Sequence, residues 1–304
     1  MFRVDYWIGL ALAANVTVTA QAAGSFSLNV TPGTYYGRYD GSEYRDRIQG
    51  EDLSIEGNAS HWGFAVGYEH SRIKYKHDLP DFTQNAGYVS GRVSYTPEQA
   101  LGSYTFRLDL HSVSDSDNVT TGDDVQVIAS QVSYARLSNS VYLDLGYAHS
   151  RYENSAFLPD SLQVQQWTPT LGFALTAGAT NWLKLRGYFI HSSNPLRSQN
   201  KKDTSAVELK YFYYPLSSYK LIPQYLQAGV LMGERIYAVD RDTASVANLA
   251  ELEKGGISAA AKWRLSHSVD LLISATRSKF RELAAKGFNE YTQNIVWLGL
   301  STRW

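Results

Sequence analysis

Two residues apart on one predicted strand, His191 and Ser193 put an imidazole and a hydroxyl on a single face, because strand side chains alternate sides with a period of two. A histidine base beside a serine hydroxyl is the pairing that nucleophile activation requires. Phe189 shares that face, and Asn194 comes directly after the serine. No residue stands where a group orienting the imidazole is expected. Asn200, Thr204 and Ser205 come next, and Glu208 falls by parity on the other face. Repetition also counts against a unique nucleophile. Histidine-serine pairs recur at His70-Ser71, His111-Ser112, His149-Ser150 and His191-Ser192, three of them after Gly67-Tyr68, Gly146-Tyr147 and Gly187-Tyr188. Four copies around a rim describe a polar belt. Intervening strands keep these imidazoles too far apart for shared coordination. No metal and no cofactor is expected.

The His-x-Ser-Asn run at 191 to 194 resembles the catalytic segment of outer-membrane lipid A deacylases and of outer-membrane phospholipase A. That resemblance implies an acyl hydrolase with His191 as base and Ser193 as nucleophile on the outer wall. Pro195 departs from the deacylase pattern, which has a small residue there.

Composition removes several other classes. The 304 residues contain no cysteine, which excludes disulfide frameworks, thiolate metal sites and thiol catalysis together. Lys and Arg number 28 against 29 Asp and Glu, a net charge of -1 without a long basic block. Nucleic acid is therefore not an expected partner. Mean hydropathy is -0.30, and no run of about 20 apolar residues could cross a bilayer as a helix.

The elements that must position these residues are strands. From Leu28 onward, segments of some 10 to 14 residues alternate apolar and polar. They make fourteen spans: 28 to 39, 50 to 58, 62 to 75, 85 to 96, 103 to 114, 124 to 136, 140 to 152, 163 to 177, 182 to 192, 204 to 214, 223 to 237, 255 to 265, 268 to 280 and 289 to 303. Connections after even-numbered strands are mostly tight, as at Asn58-Ala59-Ser60 and Ser266-His267. Those after odd-numbered strands are longer and polar, including 40 to 49, 115 to 123, 153 to 162 and 238 to 254. Short turns on one side and long loops on the other are the layout of a transmembrane barrel. The expected fold class is all-β, a closed antiparallel transmembrane β-barrel of about 14 strands.

One face of each strand is apolar, as Tyr104, Phe106, Leu108 and Leu110 show, and the other carries Thr105, Arg107, Asp109 and His111. Parity assigns the acids Glu56, Glu69, Asp109, Asp144, Glu208 and Asp270 to the lumen. The bases Arg92, Arg107, Lys184, Arg186, Lys210, Arg235, Lys262 and Arg264 join them. Gly63, Ala65, Ser90, Ser94, Gly146, Ala148, Ser258 and Ala260 are small inward residues that leave space, so an open or partly open pore is expected. The loop at 115 to 123 is too short to constrict it. In the longest loop Asp242 or Thr243 could cap a short helix. A lid is one reading of that loop and an ordinary surface loop the preferred one. Aromatics near strand ends, Tyr35, Tyr36, Tyr39, Trp62, Tyr75, Tyr95, Tyr104, Trp182 and Trp263, are expected to form interfacial girdles.

Residues 1–22 have the layout of a secretory signal, with Arg3, an apolar stretch from Tyr6 to Val18 and small residues at Ala20-Gln21-Ala22. Residues 23–304 then form one barrel domain. The chain ends on Trp304, with Val296, Leu298 and Leu300 sharing the outward face before it. This resembles the terminal strand of Gram-negative outer-membrane β-barrels, and implies recognition of those four residues by the barrel assembly machinery. Location in a Gram-negative outer membrane, after Sec-type export and among its lipids, is implied with it. The function expected first is a passive channel for small polar solutes. A non-enzymatic barrel serving export or assembly of polysaccharide or lipoprotein with a periplasmic partner comes second, and the acyl hydrolase third.

Overall fold

The computed structural model describes residues 26–77, 79–115, 124–153, 161–216, 222–247, 249–284 and 287–304. The proposed signal segment and most of the loops at 115 to 123 and 153 to 162 lie outside them. Alternating side chains on extended backbone produce fourteen antiparallel strands that close into one barrel. The first half comprises β1 (Ser27–Asp40), β2 (Arg45–Asn58), β3 (Trp62–Tyr75), β4 (Phe82–Tyr95), β5 (Gly102–Asp115), β6 (Val125–Arg136) and β7 (Val141–Tyr152). The second comprises β8 (Leu162–Ala174), β9 (Asn181–Ser192), β10 (Asp203–Tyr213), β11 (Tyr225–Arg235), β12 (Leu252–Arg264), β13 (Val269–Ala284) and β14 (Gly287–Arg303). The ring closes where β1 pairs with β14, Asn29 opposite Arg303 and Tyr36 opposite Val296. Closure gives the ladder no free edge, the condition for burying a sheet in hydrocarbon.

The expected strands fall within a few residues of those observed, except that β2 begins five residues earlier and β13 ends four later. The outer surface is apolar: Phe106, Leu108, Leu110, Val132 and Leu145 are all exposed. Water would not favour so continuous a greasy belt, and a bilayer would. Tyr36, Trp62, Tyr95 and Tyr104 project from that face, and Phe26 stacks on Trp62 with ring centroids 5.9 Å apart. Tyr35, Tyr39 and Trp182 correct the girdle expectation, because they point inward and are buried.

The decisive departure lies between β11 and β12. Residues 236–247 and 249–251 are neither a capped helix nor a surface loop. They fold into the barrel as a hairpin whose ladder pairs Val239 with Val246 and Asp240 with Ser245. A register shift between Met232 and Arg235 and another between Glu253 and Gly256 mark β-bulges on both sides of the insert. Bulges bend strands and re-aim the chain beyond them. Gly233 (φ +105°) and Gly255 (φ +116°) supply the left-handed backbone there. A Cβ on Gly233 would sit 2.5 Å from the Ser205 carbonyl oxygen, so only glycine fits.

Candidate functional site

The site is built from the hairpin outward. Ile236, Tyr237, Ala238, Val239 and Val246 are buried against Val113, Val125, Val127, Ala148, Val164 and Ile190 of the barrel wall. These wall residues occupy the outer halves of β5 to β9, where an ordinary pore would be polar. Their apolarity is explained by the insert they cover. Polar clamps fix its register. Gln166 donates through Nε2 to the Val239 carbonyl (2.6 Å) and accepts the Val239 N–H at Oε1 (3.0 Å). Tyr152 donates its hydroxyl to the Ala247 carbonyl at 2.8 Å. Tyr237 donates to the Arg197 carbonyl at 2.7 Å, which ties the insert to the β9–β10 loop above it. At the far end, Gln199 donates to the Ala250 carbonyl at 2.7 Å, and Glu251 pairs with Arg45 and accepts the Tyr291 hydroxyl.

The hairpin tip carries Asp240, Arg241 and Asp242, and its charges of opposite sign face neighbouring stretches of the wall, β6 to β8 and β9 to β10. Arg241 donates to the Ser130 carbonyl (2.7 Å) and to the Thr168 hydroxyl, and stands 4.0 Å from Asp144. Asp242 accepts from Lys184 Nζ at 2.6 Å and from Arg186 Nη2 at 2.7 Å, with Lys210 Nζ at 3.8 Å. Asp240 accepts the Tyr188 hydroxyl at 3.3 Å and lies 3.6 Å from Arg186. Burial pushes both aspartate carboxyls up. For Asp242 the Arg186, Lys184 and Lys210 charges outweigh it and hold the group well below the usual carboxylate range. Lys210 and Arg186 likewise bring Asp240 down, against the repulsion of Asp242. Such charges are tolerated inside a protein only when paired.

The residues that parity assigned to the lumen occupy three levels. Lys184, Arg186, Glu208, Lys210 and Asp144 surround the hairpin tip, while Arg235 pairs with Glu253 at 2.6 Å above it. Glu69 accepts the Tyr35 hydroxyl at 2.6 Å. Lower in the bore Arg107 bonds Asp109 at 2.7 Å and Arg92 bonds the Asn58 side chain at 2.7 Å. Glu56, Arg92 and Arg107 are only partly buried, so this level is less tightly filled than the hairpin tip. At the turn end Lys262, Arg264 and Arg303 converge on Asp270 at 2.9, 3.5 and 3.7 Å. Small inward residues do not all leave space for a solute. Gly146 is covered by the Arg241 guanidinium, and Ala148 by the apolar body of the hairpin. Of the expected open or partly open pore, a fully open bore is corrected by this insert, which fills its outer half.

The outward histidine has a partner that the sequence pattern missed. His191 Nδ1 lies 2.7 Å from Asp203 Oδ1, its register partner on β10. Cross-strand pairing to a residue twelve positions on is invisible until the turn is known. Ser193 accepts the Gln163 N–H at 2.9 Å. Asn194 caps the short 3-10 turn Pro195–Ser198, its side chain accepting the Leu196 N–H. The Asn194-Pro195 pair is thus accounted for by loop chemistry. The rim repeat is uneven. Ser71, Ser150 and Ser192 are buried inward beside outward histidines, whereas on β5 His111 points inward, 5.9 Å from the Tyr88 ring. Among the described residues no group of three metal-ligating side chains converges. On the terminal strand Val296, Leu298 and Leu300 project from the outer wall, and Trp304 is exposed.

Comparison with solved structures bears on this architecture. The Pseudomonas putida toluene transporter TodX is similar over 98% of this chain and 94% of its own, with a TM-score of 0.53 at 10% identity. The monoaromatic hydrocarbon channel CymD is similar over 97% and 92%, with a TM-score of 0.58 at 11% identity. The likeness is one of fold. No family model and no curated protein matches the sequence. The chain has the porin-like fold of an outer-membrane barrel.

Proposed function

We propose that this protein is an outer-membrane channel for small polar solutes whose conducting path is closed by the 236–251 hairpin. The observation that carries the reading is the way the hairpin is held. Its tip is fixed to the wall by ion pairs and hydrogen bonds at Lys184, Arg186, Gln166 and Thr168, and such contacts can be exchanged for water when the insert withdraws. The apolar body of the hairpin packs on the wall as well, and it is the tip contacts that are of the exchangeable kind. The partly exposed charges at Glu56, Arg92 and Arg107 line the polar half of the path. TodX and CymD are channels for aromatic hydrocarbons by name. The buried charges at the hairpin tip favour a polar cargo here.

Export through the Sec route, removal of residues 1–22 and insertion by the barrel assembly machinery through Val296, Leu298, Leu300 and Trp304 belong to the same proposal. Planar-bilayer recordings test the channel. The full-length protein is expected to show small or infrequent openings, and a variant with residues 237–250 replaced by a short Gly-Ser linker to show large, steady ones. Absence of conductance from both would remove the reading.

A further inference from the structure

With the hairpin tip lifted away, the facing rows of β9 and β10 present Lys184, Arg186 and Lys210 to the lumen. Among the described residues of these two strands one acid shares the inward face with them, Glu208, which is 2.9 Å from Lys210. Three cations against one carboxylate leave two positive charges, and Asp240 and Asp242 are the two negative charges that answer them. The next wall acid, Asp144, lies two strands away across Thr170; its cationic neighbour Arg241, at 4.0 Å, leaves with the tip, and Asp144 then offsets part of that positive charge. All three wall cations are buried with the hairpin in place, a low-dielectric setting in which their charge-assisted bonds to Asp240 and Asp242 are strong. Arg186 is also aimed in advance. Its Nε donates to the Thr170 hydroxyl at 3.2 Å, which leaves the outer guanidinium nitrogens to face the two aspartates.

We propose that Lys184, Arg186 and Lys210 form a binding site for small dicarboxylates, and that Asp240 and Asp242 occupy it as an internal stand-in for that solute. The stand-in gives the site its geometry: two carboxylate groups, held on either side of Arg241 in the chain, bound by two ammonium heads and one guanidinium. A free dicarboxylate reproduces that charge and competes with the hairpin for the same donors. Cargo and plug therefore exclude one another, and cargo binding favours the open barrel by its differential affinity for that state. This inference rests on the channel reading for its physiological sense, but the site can be tested without conduction.

The test is calorimetric titration of the detergent-purified full-length protein with succinate. In the Asp240→Asn/Asp242→Asn variant the wall cations lose their internal anions. Succinate is expected to bind this variant at least tenfold more tightly than the wild type. Adding Lys184→Gln to that background should weaken binding by tenfold or more. Equal binding by wild type and the double variant would overturn the proposal, as would indifference to Lys184→Gln. Inorganic phosphate binding as tightly as succinate would overturn the dicarboxylate assignment. If the double variant fails to fold, the Gly-Ser replacement of 237–250 carries the same expectations. A barrel that binds succinate but never conducts retains this site and removes the channel reading. One that conducts without binding does the reverse.

Discussion

The guanidinium of Arg241 occupies the volume that any side chain at position 146 would need, so that a Cβ on Gly146 would overlap it. The absence of a side chain on β7 and the long cation on the hairpin are two halves of one fit. Gly146→Val should therefore expel the hairpin tip before it harms the barrel, since the strand can keep its ladder while Arg241 moves. Overpacking of this kind costs about 1–3 kcal/mol. The expected outcome is a folded barrel by circular dichroism with several-fold more frequent openings in bilayer recordings.

Gln166 holds the Val239 amide from both sides, and its removal should be read by a protease. Gln166→Leu leaves the Val239 N–H and carbonyl buried without their clamp, at a cost of roughly 1–3 kcal/mol. Arg241 is 4% exposed in the closed state, so trypsin can cut there only after the hairpin leaves. Cleavage after Arg241 should accelerate roughly five- to a hundred-fold in the variant. Unchanged cleavage would mean that Gln166 does not hold the hairpin down.

Acid should open the latch only at an extreme. Burial raises the Asp242 carboxyl, but Arg186, Lys184 and Lys210 bring it well below its ordinary value. A carboxyl depressed in the latched state stabilises that state above its unlatched pKa, about 3.9, and the contribution is lost as pH falls from there through the latched value. The Asp242 latch should therefore hold unchanged from pH 8 to about 5 and weaken only below about pH 4. Glu251 at the hairpin's far end, pushed up to about 7 by burial, becomes neutral as pH falls through that value and favours the closed state. A rise in the open fraction on acidification through neutrality would place the controlling group elsewhere.

The barrel was readable from its alternation because the two faces of each strand meet different media: Leu108 and Leu110 outward, Arg107 and Asp109 inward. The insert was not readable, because a two-residue ladder is too short to carry a period. Two signals pointed to it nonetheless. Val239, Val246, Leu249 and Leu252 make the segment too apolar for an exposed loop, and Gly233 and Gly255-Gly256 interrupt strands where bulges occur. Apolar residues on an inward face told the same story. Val125, Val127 and Val164 contradict a wet lumen and need an internal partner. His191 with Asp203 shows the other limit, since the pairing depends on register that spacing alone does not provide.

Gly233 tests whether the bulge aims the insert. Its φ of +105° and the Ser205 carbonyl oxygen 2.5 Å from an added Cβ leave no strain-free alternative. Gly233→Ala should cost about 1–3 kcal/mol from the backbone conformation, lowering the unfolding midpoint in detergent. If the bulge relaxes instead, β11 regains its regular register with β12 and the hairpin is redirected. Trypsin sensitivity at Arg241 separates these results, because it rises only in the second.

The outer belt makes the most general prediction. Leu108 lies mid-strand on β5, opposite Gly91 of β4 and Ser130 of β6, and is 42% exposed on the outside. Arginine there would place a charge against hydrocarbon, at a cost of about 2–4 kcal/mol near the bilayer midplane. A soluble sheet would accept the same change within about 0.5 kcal/mol. Leu108→Arg should therefore reduce the membrane-inserted fraction and the urea midpoint in lipid vesicles, while Leu108→Ile leaves both nearly unchanged. Equal behaviour of the two variants would mean that this face does not meet lipid, and the direction of every side chain in the wall would have to be reassigned.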